Sequence, residues 1–235
     1  MGPSVMFSYS SAESRKRDRC DSPESPAQLE KRRKIEQVIC KGFNIDTPVN
    51  YLRTMRIDRA CQEALDKAWK DHVAGKRKRS NVSKEAKKFI ACIEGVAEDG
   101  SDLYAQKYEI KKSNILDAGN GLFARTDGPG YKKNDVIDLY GGFLTFTHKV
   151  EDKEYAFEWP DTAFAAFSVD GKIEGNSLRF MNHIHPKQAN VSSVEFFYQG
   201  KPYIIFIADK TILPGEEMYY DYGPQYWCHK NVVPQ

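Results

Sequence analysis

Arg179-Phe180-Met181-Asn182-His183 is followed, further along the chain, by Gly215-Glu216-Glu217-Met218-Tyr219-Tyr220-Asp221-Tyr222-Gly223. The first block sets an arginine, an amide and an imidazole among apolar side chains. The second crowds three tyrosines around a carboxylate, just after the Pro214-Gly215 turn signal. Burying polar groups costs free energy unless they are paired, so segments of this kind usually line a site.

Two earlier segments complete the pattern: Ala118-Gly119-Asn120-Gly121-Leu122-Phe123-Ala124 and Asp138-Leu139-Tyr140-Gly141-Gly142. Together the four blocks resemble the signature of the SET-domain protein lysine methyltransferases, which reads G-x-G-L-F-A, Y-x-G, R-F-x-N-H and E-E-x-x-x-D-Y in that order. The resemblance runs from roughly Lys107 to Trp227. It implies a mostly β domain, the β-clip or SET fold of short sheets. In that fold the segment carrying Asn182-His183 is threaded beneath a loop by the C-terminal tail, a pseudoknot that ordinary topology rules would not produce.

The 235 residues, 40% of them hydrophobic, suffice for one substantial core. No apolar run approaches the ~18 residues of a membrane span, so no membrane partner is expected. The start of the chain has no apolar segment behind a basic stretch, so no secretory signal peptide is expected either. Cys20, Cys40, Cys61, Cys92 and Cys228 are scattered without a C-x-x-C, which argues against a disulfide framework and a zinc cluster. Many members of the family carry cysteine-rich zinc segments beside the catalytic domain. Here none is expected, no metal site is assigned, and something else must close the active site.

Four regions are expected. Residues 1–41 hold nine Lys/Arg against six Asp/Glu, with much Ser and Pro and few apolar residues, and read as a disordered tail. Within them Arg15-Lys16-Arg17-Asp18-Arg19 and Lys31-Arg32-Arg33-Lys34 resemble a bipartite nuclear import signal, supported by Lys76-Arg77-Lys78-Arg79. Such runs also bind nucleic acid or the nucleosome through phosphates. Residues 42–105 read as a helical N-terminal region. Leu52, Met55, Ile57, Ala60, Ala64, Leu65 and Ala68 recur at helical spacing from near Thr47-Pro48 to Val73, and a second helix is expected from Ser83 to Ile93. This pair either packs on the catalytic domain or grips a partner. Residues 106–227 form the SET domain, with strands at Tyr108–Lys112, Val136–Tyr140, Glu154–Trp159 and Phe167–Val169. A hairpin joins Val194–Tyr198 to Tyr203–Ala208. Residues 228–235 are a C-terminal tail.

The resemblance implies roles residue by residue. Gly119 and Gly121 would let the backbone approach S-adenosyl-L-methionine, with Asn120 and Leu122 adding main-chain contacts. Asn182 and His183 would sit against the cofactor, supported by Arg179 and Phe180, and Tyr140 would help to hold it. Tyr222 is the expected catalytic tyrosine, its hydroxyl facing the transferring methyl. Tyr220 stands where the family carries Phe or Tyr, and a hydroxyl there implies mainly monomethylation. Asp221 either orients backbone or caps a turn. Pro224-Gln225-Tyr226-Trp227 is similar to the tail of SET proteins from intracellular bacteria, chlamydial and Legionella types among them. Trp227 would then contact the cofactor, wall the lysine channel or pack on the core.

The implied reaction is an in-line methyl transfer to a lysine amine, which depends on alignment and exclusion of water. Residues 106–235 carry fourteen Lys/Arg against seventeen Asp/Glu, which suits a histone tail or another basic lysine-containing protein. With the basic clusters, this implies action in a nucleus, in a host nucleus if the protein is a bacterial effector. The alternative is a SET fold kept as a chromatin- or protein-binding module with little activity. Two departures stand out: Ile184 replaces the family's serine after Asn-His, and the stretch from His185 to Asn190 is two residues longer than the pattern. Tyr155, Phe157 and Trp159, between Thr145 and Asn176, suit a core and a peptide groove equally.

Overall fold

The computed structural model describes residues 50–74, 84–96, 102–159, 164–223 and Tyr226. The tail over 1–41, the Lys76–Arg79 cluster, Ser83, Trp227 and the segment 228–235 lie outside the described residues. In chain order the elements are β1 (Asn50–Tyr51), β2 (Met55–Ile57), α1 (Gln62–Ala74), α2 (Lys84–Ile93), β3 (Tyr108–Lys112), β4 (Asn120–Ala124), β5 (Val136–Leu139), β6 (Gly142–Phe146), β7 (Ala156–Glu158), β8 (Phe167–Gly175), β9 (Asn182–His183), β10 (Val191–Tyr198), β11 (Lys201–Ala208) and β12 (Glu217–Tyr220). Short strands in small sheets with few helices are the architecture expected from the four blocks.

The sheet β10-β11-β5 is the spine. Its strands are apolar nearly throughout because both faces are covered; the period of two sorts the side chains of β10 and β11, and on β5 the alternation is broken where the register against β11 shifts, so that Leu139 joins Val136 rather than Ile137. Val136, Leu139, Phe196 and Ile205 face one way, against Ala86, Phe89 and Cys92 of α2. Ile137, Phe197, Ile204 and Phe206 face the main core with Leu122, Leu178 and Met218. Phe89, 5% exposed, stabilises the α2 face by roughly 2 kcal/mol through burial alone. The β10–β11 turn is Gln199-Gly200, both with positive φ (52° and 77°), the two-residue geometry that matches strand twist and favours glycine at the second place.

The segment before α1 corrects the expected helix. That helix begins only at Gln62; ahead of it β1 runs parallel to β8 and β2 parallel to β6 in the sheet β1-β8-β6-β2, with β7 on β8. The cause is Asp58, whose carboxylate accepts the Ala60 N–H at 3.0 Å and so starts a helical turn at Arg59–Cys61. Upstream, backbone pairing with β6 and β8 overrides the helical spacing of Leu52, Met55 and Ile57. The region of residues 42–105 is therefore not only helical: it lends two strands to a sheet of the catalytic fold. Arg53, between them, donates to the carbonyls of Cys92 and Ile93 at the C-terminus of α2, where the helix dipole favours a cation, and pairs with Asp102 at 3.1 Å.

The third sheet, β3-β4-β12-β9, carries the signature blocks. The last strand, β12, inserts between β4, to which it is antiparallel, and β9, to which it is parallel. This is the crossing expected of the fold. A turn at Leu213-Pro214-Gly215-Glu216 aims it: Gly215 has φ 79° and the Glu216 N–H donates to Leu213 O at 3.0 Å. Asn190 clasps the inserted strand, its Nδ2 donating to Glu217 O at 2.9 Å and its Oδ1 accepting from Tyr219 N at 2.8 Å.

Candidate active site

The inserted strand brings the Gly-Asn-Gly and Asn-His segments together. Asn182 Nδ2 donates to Asn120 O at 3.0 Å, across 62 residues of sequence. Beneath them lies the carboxylate of Glu217, 1% exposed, which accepts from Ser113 Oγ (2.6 Å), Asn114 N (2.7 Å) and Tyr219 Oη (2.7 Å), with Asn182 Nδ2 at 3.4 Å. A side chain at Gly121 would collide with that carboxylate, so glycine here makes room for Glu217. Gly119 differs: φ is 70°, and nothing lies within 4 Å of where a Cβ would project. Its backbone faces open space. Leu122 is fully buried, so its side chain belongs to the core and only its main chain is left to serve the site.

On the other side of Tyr222 lies a cavity of about 200 Å³ walled by Tyr140, Tyr155, Tyr220, Tyr222 and Tyr226. Arg179, Leu178 and Met181 also line it, as do the charged residues Lys153, Glu154, Glu158 and Asp221. Gly119, Asn120, Gly121, Leu122, Asn182 and His183 do not, whereas Tyr140 and Arg179, both expected at the cofactor, do. Phe180 stacks under Arg179, its ring centroid 4.8 Å from the guanidinium carbon. Tyr155 and Phe157 join the cavity lining, while Trp159 packs in the core against Phe164 and Phe197.

Tyr222 joins the two halves. Its hydroxyl donates to Met181 O at 2.8 Å and its backbone N–H donates to His183 Nδ1 at 3.1 Å. Its ring packs on Tyr220 (4.7 Å) and edge-to-face on Tyr226 (4.6 Å). Burial pushes the hydroxyls of Tyr222, Tyr220 and Tyr140 far above the usual phenol range, so all three remain protonated. Burial lowers the His183 pKa although Asp221, at 3.6 Å, pulls the other way. An Nδ1 that accepts from the Tyr222 N–H carries no proton, so the Asp221 contact is not an ion pair and His183 is neutral. Asp221 instead accepts the Gly223 N–H at 2.9 Å, closing the turn after the tyrosines.

Three site-building residues escaped the motif reading. Glu217 lies inside the E-E pair, but its part in the site shows only once its donors are seen. Asn176 is 3% exposed; its Nδ2 donates to Leu139 O, and its Oδ1 accepts from Leu178 N at 3.3 Å, capping the turn at Ser177–Phe180. It thus ties Tyr140 to the Arg179 block, and an Asn just ahead of a short apolar run was the available signal. Tyr226, beside the expected Trp227, supplies an aromatic wall.

The chain matches the sequence profile of the SET domain over residues 12–223 and belongs to the SET-domain family. It is 30% identical over 115 residues to N-lysine methyltransferase KMT5A-A of Danio rerio, covering 45% of this chain and 32% of that protein. To N-lysine methyltransferase KMT5A-B of Xenopus laevis it is 26% identical over 164 residues, covering 63% of this chain and 43% of that one. The chain thus spans less than half the length of these relatives. The structure of ATXR5 in complex with histone H3.1 superposes with a TM-score of 0.59 at 16% identity, over 86% of this chain and 91% of that one, which shows the shared fold. S-adenosylmethionine is the methyl donor of SET methyltransferases. The residues here are compatible with it: the backbone at Gly119 is open, and Asn182 ties the Asn-His segment to the Gly-Asn-Gly segment through Asn120 O.

Proposed function

We propose that this protein transfers methyl groups from S-adenosylmethionine to lysine side chains of histones or other basic proteins. The observation that carries this reading is the double engagement of Tyr222, bonded through its backbone to His183 of the cofactor motif while its ring walls the tyrosine-lined cavity. The names of the lysine methyltransferase relatives support the same activity.

The bound donor supplies an activated methyl on a sulfonium sulfur; Gly119, Asn120, Asn182 and His183 would hold it. The protein's own part is alignment and desolvation. Tyr222, held by the Met181 carbonyl, orients the amine along the channel, and the aromatic walls exclude water. Phenols held protonated by burial are not bases, so the ammonium proton leaves to solvent. Tyr220 fills the space a methylated amine would need, which supports a mainly monomethylating enzyme.

The basic clusters near the N-terminus support action in a nucleus and contact with nucleosomal nucleic acid. Together with the Pro224-Gln225-Tyr226-Trp227 tail, they support a bacterial effector working in a host nucleus.

The test is incubation with S-adenosylmethionine and separate pools of core histones, nucleosomes and basic non-histone proteins, with added methyls read by mass spectrometry beside Tyr222→Phe. Methyls on lysine that vanish in the variant are expected. A protein that binds the pools but neither binds the donor nor transfers methyls would be the binding module instead.

A further inference from the structure

We propose that the buried guanidinium of Arg179 keeps a lysine entering the cavity as its neutral amine, acting through its fixed charge on the substrate's protonation; this rests on the methyltransferase reading above. A lysine must be neutral to attack a methyl donor, yet free in water it is an ammonium with a pKa of ~10.4. A tyrosine-lined cavity by itself is ambivalent, because it desolvates the ammonium but also attracts cations to its ring faces.

Arg179 tips that balance. It is 8% exposed, and its Nη1 donates to the carbonyls of Gly171 (2.9 Å) and Lys172 (2.8 Å) on β8. The guanidinium carbon lies 4.7 Å from the centroid of the Tyr155 ring, and both residues line the cavity. A guanidinium keeps its charge at every accessible pH. A positive charge is therefore built into the wall, over one of the rings an ammonium would seek. Its field reaches the neighbouring Tyr140 hydroxyl, where it opposes the upward push of burial.

The other charges around it are of both signs. Lys153 pairs with Glu158 at 2.7 Å, and Lys172 with Asp152 at 2.6 Å. Glu154 and Asp221, which line the cavity, are exposed to water at its mouth, and their fields still reach in: Glu154 acts on the Tyr155 and Tyr222 hydroxyls and Asp221 on Tyr220, against the buried cation. Asp170, on β8, accepts the Lys172 N–H at 2.8 Å. These carboxylates draw a basic peptide to the surface, whereas the buried cation disfavours the ammonium once it is inside. On deprotonation the N–H bond breaks, the proton passes to bulk water and the lone pair stays on the amine.

The experiment measures kcat, at saturating peptide and donor, against pH for the wild type, Arg179→Lys and Arg179→Gln on a core histone tail peptide, because kcat reports the ionisation of the bound lysine. Gln can still donate to the β8 carbonyls but carries no charge. The expected result is an alkaline displacement of the profile by about one unit in Arg179→Gln, the order set by a nearby like charge, with a rate roughly tenfold lower at neutral pH that recovers at high pH. Arg179→Lys should stay near the wild-type profile. Equal losses in both variants at every pH, with no displacement, would mean that Arg179 only shapes the fold and would overturn the proposal.

A second measurement needs only the wild type: titration by NMR of one 13C,15N-labelled lysine in the same peptide bound to the protein without donor. A bound pKa below the ordinary ~10.4 is expected; an unchanged or raised value would overturn the proposal even if the variants do not fold. Failure of the wild type to methylate any peptide would instead remove the activity reading on which it stands.

Discussion

The carboxylate of Glu217 occupies the space that a side chain at Gly121 would fill. The glycine of the Gly-Asn-Gly segment and the glutamate of the last strand thus form one fitted pair, and the hydrogen bonds of Glu217 to Ser113, Asn114 and Tyr219 depend on it.

Gly121→Ala should displace Glu217 and leave buried donors without their acceptor. The expected cost is about 1–3 kcal/mol. Urea unfolding measures that cost, and a thermal shift with S-adenosylmethionine should show weakened donor binding. A variant as stable as the wild type would mean that the strand relaxes around the methyl group.

Tyr222→Phe should lower methyl transfer by roughly a hundredfold or more, the scale seen when one positioned polar group is removed from an active site. The Tyr222-to-Met181 hydrogen bond is lost, so the unfolding free energy should fall by about the ~1 kcal/mol of a single hydrogen bond. Single-turnover rates beside denaturant melts separate the two effects.

Tyr220→Phe removes one hydroxyl from the cavity while keeping the ring against Phe206 (5.0 Å) and Tyr222. Product spectra should shift toward dimethyl- and trimethyl-lysine with the monomethylation rate nearly kept. A spectrum identical to the wild type would refute the assignment of Tyr220 as the residue that limits methylation.

Asp138 is fully buried on β5, and desolvation raises its pKa from 3.8 to about 7, with Asp102 adding to the rise and the Tyr108 hydroxyl, at 2.7 Å, opposing it. Between those two values the folded protein holds a proton that the unfolded chain has released. Stability from this group is therefore present at low pH and is lost as pH rises through about 7. Unfolding free energy measured across that window should decline less steeply in Asp138→Asn, and an unchanged slope would show that Asp138 titrates normally.

How much of this could be read from the chain follows from what each residue's partners are. The four blocks announced the β domain and the crossing of β12, because they are local strings whose chemistry has little use elsewhere. The hairpin was equally legible, since Gln199-Gly200 between two apolar runs leaves little else to do. The start of α1 was not: Leu52, Met55 and Ile57 satisfy a helical period, and only pairing with β6 shows Met55 and Ile57 to be strand, with Leu52 following β1 along β8. Glu217 and Asn176 were passed over for the same reason, their partners Ser113, Asn114 and Leu139 lying in distant segments.

Local propensity and motif chemistry were thus enough for the class of fold and for the segments that β12 brings together. Only the folded chain decides which tyrosines share a wall, that Arg179 stands over Tyr155, and that Gly121 is a glycine on account of Glu217. Those relations depend on contacts between residues far apart in sequence. Packing and burial, which set the cost of every charge and hydroxyl in the site, exist only once the strands have closed on one another.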